Sequence, residues 1–159
     1  MSGFSISKAA ASLQNEWLKE IGLLLNEPLA FAAIIIGLGL YSERDYDKRL
    51  QIAASLLLTF VLVILLKSAL GIERPCISDS GALCPLSYSL PSMHAAIVFT
   101  LMFAFLFKQS FPAYVLFALF VSFTRLNIGV HTFEDIAAAL PVAFMSVFAI
   151  RYYWERWKK

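Results

Sequence analysis

The chain has 159 residues, of which 60% are hydrophobic and only 15% are charged, and its mean hydropathy is +0.74. Soluble domains carry about 25% charged residues, and so short a chain has a large surface to cover with polar groups in water. The composition therefore excludes a soluble globular enzyme, a disordered segment and a nucleic-acid-binding module, and a net charge of +2 is too small to indicate a polyanionic partner. Lipid is the expected solvent.

Residues 1–20 are predicted to form an amphipathic helix at the membrane surface or, alternatively, a polar first span. Their apolar side chains fall at helical spacing, at Phe4, Ile6, Ala9, Leu13, Trp17 and Ile21. A cleaved signal peptide is not predicted, because charged residues interrupt any apolar run, at Lys8, Glu16, Lys19 and Glu20. We favour the surface helix.

Five uncharged stretches follow and predict membrane-spanning helices, at residues 28–42, 50–66, 92–107, 109–124 and 136–150. At about 1.5 Å per residue each covers about 22–26 Å, less than the roughly 30 Å of the hydrocarbon core. We therefore expect residues 21–26 and 67–72 to lengthen the first two spans. The prediction is a single all-α domain over residues 1–159, folded as a polytopic transmembrane bundle of five or six helices.

The basic residues of the connections are distributed unequally between the two sides of this predicted bundle. One side carries eight of them, at Arg44, Lys48, Arg49, Lys108, Arg151, Arg156, Lys158 and Lys159. The other side has only Lys67, Arg74 and Arg125. Because cytoplasmic loops are enriched in Lys and Arg, the first side is predicted to face the cytoplasm and the second the extracytoplasmic space.

Residues 71–91 form the one long connection, on the predicted extracytoplasmic side. This loop is rich in proline and serine, so we expect it to be irregular and exposed to solvent. It also holds both cysteines of the chain, Cys76 and Cys84. An oxidising compartment allows these two to form a disulfide, although two unpaired loop cysteines are the alternative.

Ionisable residues at membrane depth are costly, and eight of them lie on this side, at Lys67, Glu73, Arg74, His94, Arg125, His131, Glu134 and Asp135. Singly, each has an ordinary explanation, such as a cation reaching the interface or an acid beginning a helix. Together, three converging cations would repel one another unless an anion such as phosphate is bound. Asp135 follows His131 by four residues and can orient its imidazole, so the set has the parts of a phosphoryl-transfer site.

These residues fall into three blocks, Lys67-x6-Arg74-Pro75, Pro91-Ser92-Met93-His94 and Thr124-Arg125-x5-His131-x3-Asp135. In order and internal spacing the blocks resemble the signature of the type 2 phosphatidic acid phosphatase superfamily, Lys-x6-Arg-Pro, Pro-Ser-Gly-His and Ser-Arg-x5-His-x3-Asp. Membrane members of that family are typically six-helix bundles, which would make the N-terminal segment the first helix.

The resemblance implies a role for each matching residue. His131 would be the nucleophile that forms a phosphohistidine, Asp135 would hold its tautomer, and His94 would protonate the leaving oxygen and then activate water. The phosphate oxygens would be bound by Lys67, Arg74, Ser92 and Arg125, with backbone amides near Met93. The family needs no metal or other cofactor, and the sequence has no carboxylate or His/Cys cluster of the kind a catalytic metal requires.

Two positions depart from the family pattern. Thr124 replaces serine and keeps a hydroxyl, so we expect little effect. Met93 replaces a glycine, whose backbone approaches an anion closely and adopts positive φ. If residue 93 is helical, its amide can still serve; if the glycine conformation is required, the second block is damaged.

The leading functional hypothesis is an integral-membrane lipid phosphatase acting at the extracytoplasmic face. Candidate substrates are a polyprenyl diphosphate such as undecaprenyl diphosphate, phosphatidic acid, and phosphatidylglycerol phosphate. The alternatives are a phosphotransferase of the same family and a non-catalytic anion-binding or transport protein. The expected partners are this substrate and membrane lipids, and no oligomeric state is indicated, since exposed apolar faces are expected in lipid.

Overall fold

The computed structural model describes residues 3–13, 16–75 and 85–158, and α-helices joined by loops make up this part of the chain. The helices are α1 (Gly3–Ser12), α2 (Glu16–Leu24), α3 (Pro28–Ser42), α4 (Tyr46–Leu70), α5 (Met93–Ala104), α6 (Phe111–Asn127) and α7 (Phe133–Trp157). The five predicted spans coincide with α3 to α7. The prediction of an all-α membrane bundle is confirmed, with more helical segments than the five or six expected. The proposed Cys76–Cys84 disulfide lies outside the described residues.

Helix α5 lies at the centre of the bundle, packed against α4, α6 and α7. Its buried face is built largely from small or β-branched residues, so neighbouring backbones approach closely. Ala95, Ala96 and Val98 are fully buried there. The hydroxyls of Thr59 on α4 and Thr100 on α5 are 2.8 Å apart, so these two helices are also joined by a buried hydrogen bond.

Helices α4 and α7 have 25 residues each and are long and apolar enough to cross a membrane. Both have defined ends. Asp45 caps α4 by accepting a hydrogen bond from the Lys48 amide, and α4 stops at Gly71, whose φ of 60° is the left-handed conformation glycine tolerates. Helices α5 and α6 are apolar but shorter, with 12 and 17 residues. The bent pair α2 and α3 makes a third candidate span if it is counted as one.

The N-terminal region differs from the single surface helix that we favoured. It forms two helices, and α1 packs against α6 and α7 while α2 packs against α6. The reason is a set of polar contacts to the bundle: the Asn127 side chain donates to the carbonyls of Ala10 and Leu13, and Ser7 accepts from the Phe133 amide. The N-terminal helices therefore pack onto the end of the bundle where α6 ends and α7 begins.

Helices α2 and α3 meet at an angle of 83°. Pro28 is the first residue of α3, and it cannot continue a helix from α2 because it has no N–H and disfavours helical geometry in the residue before it. The break places the end of α2 beside the end of α6, since the Gly22 carbonyl accepts a hydrogen bond from Arg125.

The two ends of the bundle differ in chemistry, as the distribution of charges predicted. At one end the α3–α4 loop, the α5–α6 turn and the C-terminal part of α7 are tied together by polar contacts. Lys108 pairs with Glu43 at 3.0 Å, Arg151 donates to the Ala104 carbonyl at 2.6 Å, and Lys158 pairs with Asp47. The residues of the three sequence blocks lie at the opposite end.

Candidate active site

His131 and Asp135 form a buried pair where α6 gives way to α7. His131 lies in the loop between these helices and Asp135 in the first turn of α7, with 3.1 Å between Nδ1 and Oδ2. Asp135 is held by a capping box: its Oδ2 accepts from the Thr132 amide at 2.8 Å, and its own amide donates to the Thr132 hydroxyl. Asp135 thus stabilises the first turn of α7 and orients the imidazole at the same time.

The hydrogen bonds of His131 define which ring nitrogen carries the proton. Arg74 Nη1 lies 2.9 Å from Nε2, and a guanidinium only donates, so Nε2 accepts. Nδ1 therefore carries the proton and donates to the Asp135 carboxylate. Burial lowers the pKa of His131 to about 4 against the opposing effect of Asp135. The imidazole is therefore neutral at pH 7, with its basic lone pair on Nε2 towards Arg74.

Arg74 and Lys67 anchor the end of the long loop to this pair. Arg74 donates to the Val130 carbonyl at 3.1 Å and to the carbonyl and hydroxyl of Ser87 at 2.8 and 3.0 Å. Lys67, near the end of α4, donates to the carbonyls of Tyr88 and Ser89, the latter at 2.9 Å. Of the two cations in the first block, Arg74 therefore contacts His131 directly, and Lys67 is linked to the pair through Ser89.

Ser89 is a member of this cluster that the sequence did not indicate. Its hydroxyl donates to Asp135 Oδ2 and lies 3.3 Å from His131 Nδ1. Ser89 lies two residues before Pro91, the start of the second block, inside a serine-rich loop where nothing in the spacing distinguishes it. Only the folded loop brings it to the pair.

Ser92 occupies the N-cap position of α5, and its hydroxyl makes no capping hydrogen bond. The Ser92 amide donates to the Asp135 carbonyl at 3.0 Å, while the hydroxyl oxygen is buried without a partner. Helix α5 begins at Met93, so residue 93 is helical, and its side chain packs against the hydrophobic core. Of the two alternatives for Met93 in place of glycine, the structure therefore has the one in which residue 93 is helical.

Arg125 is fully buried at the end of α6 and faces the break between α2 and α3. Its guanidinium donates to the Gly22 carbonyl at 2.6 Å and to the Asn26 side chain at 3.1 Å, and its Nε has no partner. The Thr124 hydroxyl donates to the Val121 carbonyl of the same helix. The Arg125 contacts with α2 were not predicted.

His94 lies in the first turn of α5, close to α3. Its ring centroid is 4.5 Å from that of Phe31, and the backbone of Leu25 lies close to the ring. The charges of Arg74 and Arg125 and the ring of His131 all act on it electrostatically. His94 and Arg125 thus approach the cluster from the α2–α3 side.

The structure therefore joins Lys67, Arg74, His131 and Asp135 by hydrogen bonds, directly or through the loop, with the Ser92 amide on the Asp135 backbone. This arrangement supplies a neutral imidazole with a fixed proton, adjacent cations and a buried hydroxyl, which are groups suited to binding and attacking an anion. Within the described residues no three His, Cys, Asp or Glu side chains lie close enough to hold a metal ion. Metal independence stays a prediction.

Comparisons with known proteins agree with this fold. The PAP2 superfamily model matches residues 48–159. The transmembrane PAP2-type phosphatidylglycerolphosphate phosphatase of Bacillus subtilis is similar in structure, with a TM-score of 0.74 and 20% identity over 97% of this chain and 85% of that one. LpxE of Aquifex aeolicus is also similar, with a TM-score of 0.74 and 18% identity over 94% of each chain. No curated protein sequence matches.

Proposed function

Because the chain belongs to the PAP2 superfamily, we propose that it is an integral-membrane lipid phosphatase that removes a terminal phosphate through a phosphohistidine at His131. The observation that carries this proposal is the buried His131–Asp135 pair, with Nδ1 bound to the carboxylate and Nε2 towards a cation. A buried, correctly protonated imidazole beside a guanidinium is the arrangement that an attack on phosphorus requires.

Phosphate would be bound by cations that outnumber the carboxylates near them and by polar atoms that have no hydrogen-bond partner. Lys67, Arg74 and Arg125 would supply the positive charge, and Arg74 acts electrostatically on both of the others. Asp135 is the one carboxylate bonded within this cluster among the described residues. A bound phosphate dianion would relieve the repulsion and supply acceptors for the partnerless Ser92 hydroxyl and Arg125 Nε.

The first step would be attack of His131 Nε2 on phosphorus. Arg74 would turn from Nε2 to the phosphate oxygens as the substrate arrives, which frees the lone pair. The bond from phosphorus to the leaving oxygen breaks, His94 gives that oxygen a proton, and Asp135 stabilises the positive charge that develops on His131. The product of this step is a phosphorylated Nε2 and a dephosphorylated lipid.

The second step would be hydrolysis of the phosphohistidine. His94, now lacking a proton, takes one from water as the water oxygen attacks phosphorus, and the bond between phosphorus and Nε2 breaks. Inorganic phosphate leaves, and both histidines return to their starting protonation states. The first helical residues of α5 would offer backbone N–H groups to the phosphate oxygens during both steps, since these groups have no partner within the helix.

We further propose that the site faces the extracytoplasmic side, because the end of the bundle opposite to it carries most of the cations. The substrate would be a lipid phosphate or diphosphate whose head group reaches this end from the membrane. A polyprenyl diphosphate, phosphatidic acid and phosphatidylglycerol phosphate are the candidates.

The test is phosphate release by the detergent-solubilised protein over a panel of these three substrate classes. His131→Gln should reduce turnover of every accepted substrate by at least about a thousandfold, because the nucleophile is lost. Glu134→Gln is the matched control, since Glu134 is an exposed acid in the same first turn of α7 and should retain turnover. Full activity of His131→Gln, or silencing of the wild type by a chelator, would contradict the mechanism.

A further inference from the structure

Ser89 is almost completely buried and is bonded through its backbone as well as its side chain. Its exposed fraction is 1%, its amide donates to the Ile72 carbonyl at 2.7 Å, and its carbonyl accepts from Lys67 at 2.9 Å. Its hydroxyl reaches Asp135 and His131. One residue therefore connects the start of the long loop, a phosphate-binding cation and the nucleophile pair.

The direction of these hydrogen bonds is determined by the chemistry of the partners. An ionised carboxylate only accepts, so the single proton of the Ser89 hydroxyl goes to Asp135 Oδ2. The hydroxyl oxygen then faces His131 Nδ1–H at 3.3 Å as a second acceptor, beside Asp135 Oδ2 at 3.1 Å. The imidazole proton is thus held between two oxygens that are themselves hydrogen-bonded to each other.

We propose that Ser89 is a positioning residue for the His131–Asp135 pair, holding the imidazole in the Nδ1–H tautomer while its carbonyl sets the place of Lys67. The effect of Ser89 on catalysis rests on the proposed function. A carboxylate with one fewer donor would be free to rotate, and an imidazole with one acceptor instead of two would sample the other tautomer. In that tautomer Nε2 carries the proton and cannot attack phosphorus.

The kinetic test compares wild type and Ser89→Ala on the panel substrate with the highest turnover. We expect kcat to fall about ten- to a hundredfold, the scale of one lost hydrogen bond to a charged group, with KM changed less than twofold. Ser68→Ala is the matched control, because Ser68 is an exposed serine of α4 that bonds only the Ile64 carbonyl of its own helix. It should leave both constants unchanged.

A double-mutant cycle separates positioning from a general loss of structure. Because Ser89 acts through Asp135, Ser89→Ala should reduce kcat less than twofold further when introduced into Asp135→Ala. A further loss equal to that in the wild type would overturn the proposal. So would an effect confined to KM, or a kcat unchanged by Ser89→Ala.

A third measurement does not depend on turnover. His94 and His131 are the only histidines of the chain, so ¹⁵N-histidine labelling gives two imidazoles, and His131→Gln identifies which signals belong to His131. In wild type the His131 nitrogens should report the Nδ1–H tautomer, and in Ser89→Ala they should move towards a mixture while those of His94 stay. Unmoved His131 signals overturn the positioning role even if the enzyme is active. Moved signals without any phosphate release support the role and contradict the proposed function.

Discussion

Unsatisfied polar atoms are the feature of single residues that bears most directly on function. Within the described residues, buried side-chain atoms without a partner occur at Ser92, Ser122, Arg125 and Trp154. Leaving such a group unpaired costs about 1–3 kcal/mol. Two of the four belong to predicted phosphate ligands, Ser92 and Arg125. Under the proposed function, a bound phosphate would supply the partner that these two atoms lack.

Position 93 decides whether the departure from the family pattern matters. Met93 is the first residue of α5 and packs against the core, so neither its backbone nor its side chain requires the freedom of glycine. Met93→Gly should leave kcat within about threefold and lower the free energy of unfolding by about 1–2 kcal/mol, because apolar burial is lost and a helical glycine is added. Phosphate release and thermal denaturation in detergent measure the two effects.

Met93→Ala is the control for position 93, because it removes the side chain without adding backbone freedom. Both variants should behave alike in turnover. A rise in kcat of about tenfold or more for Met93→Gly, absent from Met93→Ala, would mean that the reaction needs a conformation that methionine resists.

The pairing of His131 with Asp135 was predictable from their spacing in the sequence, whereas the roles of the other candidate site residues were taken from the resemblance to a family. His131 and Asp135 are only four residues apart, on either side of the Thr132 N-cap of α7, so their proximity follows from local chain geometry. The contact of Ser89 with this pair spans more than forty residues and depends on how an irregular loop folds back. No sequence pattern shows how this loop folds, and Ser89 was missed for that reason.

Among the elements, α3 to α7 were predictable because long uncharged runs have few alternatives in a lipid environment. The N-terminal region was not. Its helical spacing is compatible with packing on a membrane surface or on a protein surface. In the structure it packs on α6 and α7 through contacts between residues far apart in the sequence, which the spacing does not reveal. Asn127 donates a hydrogen bond to the Ala10 carbonyl of α1, and Arg125 donates one to the Gly22 carbonyl of α2. Helix α2 is therefore part of the support for a predicted phosphate ligand.

Gly22 is the residue that allows α2 to approach α6 so closely. A Cβ at this position would lie 2.8 Å from Ile128 Cγ2, nearer than van der Waals contact permits. Gly22→Ala should therefore push α2 away, lower stability by about 1–3 kcal/mol and raise KM, because Arg125 loses its fixed partner at the Gly22 carbonyl. Thermal denaturation and steady-state kinetics in detergent measure both consequences.

Gly37→Ala provides the matched control on α3. A Cβ there meets nothing within 4 Å, so the added methyl costs no packing and gains up to about 1 kcal/mol of helix propensity. Its KM should equal that of the wild type. If Gly22→Ala and Gly37→Ala behave alike, the close contact of α2 with α6 has no part in holding Arg125.

The whole molecule separates two kinds of charge at its two ends. At the end away from the site, Glu43 is buried beneath Lys108. Burial raises the pKa of Glu43, but hydrogen bonds from the Asp45 amide and from Lys108 outweigh it and lower the pKa overall, so the carboxylate is ionised at neutral pH. At the site end the cations face a single bonded carboxylate. At one end the charges pair with one another, whereas at the other end the cations donate to backbone carbonyls.

This asymmetry predicts the orientation of the protein in the membrane. The connections at the Glu43–Lys108 end and the C-terminal part of α7 belong to the same end, so they share one side. We expect that side to face the cytoplasm because it is rich in cations. Green fluorescent protein fused after residue 159 should fluoresce, whereas alkaline phosphatase at the same place should be inactive, because each reporter matures in only one compartment. Replacing Arg44, Lys48 and Arg49 by glutamine is expected to weaken this preference by removing three of the orienting cations. An active alkaline phosphatase fusion of the unaltered chain would reverse the orientation and place the His131–Asp135 pair on the cytoplasmic face.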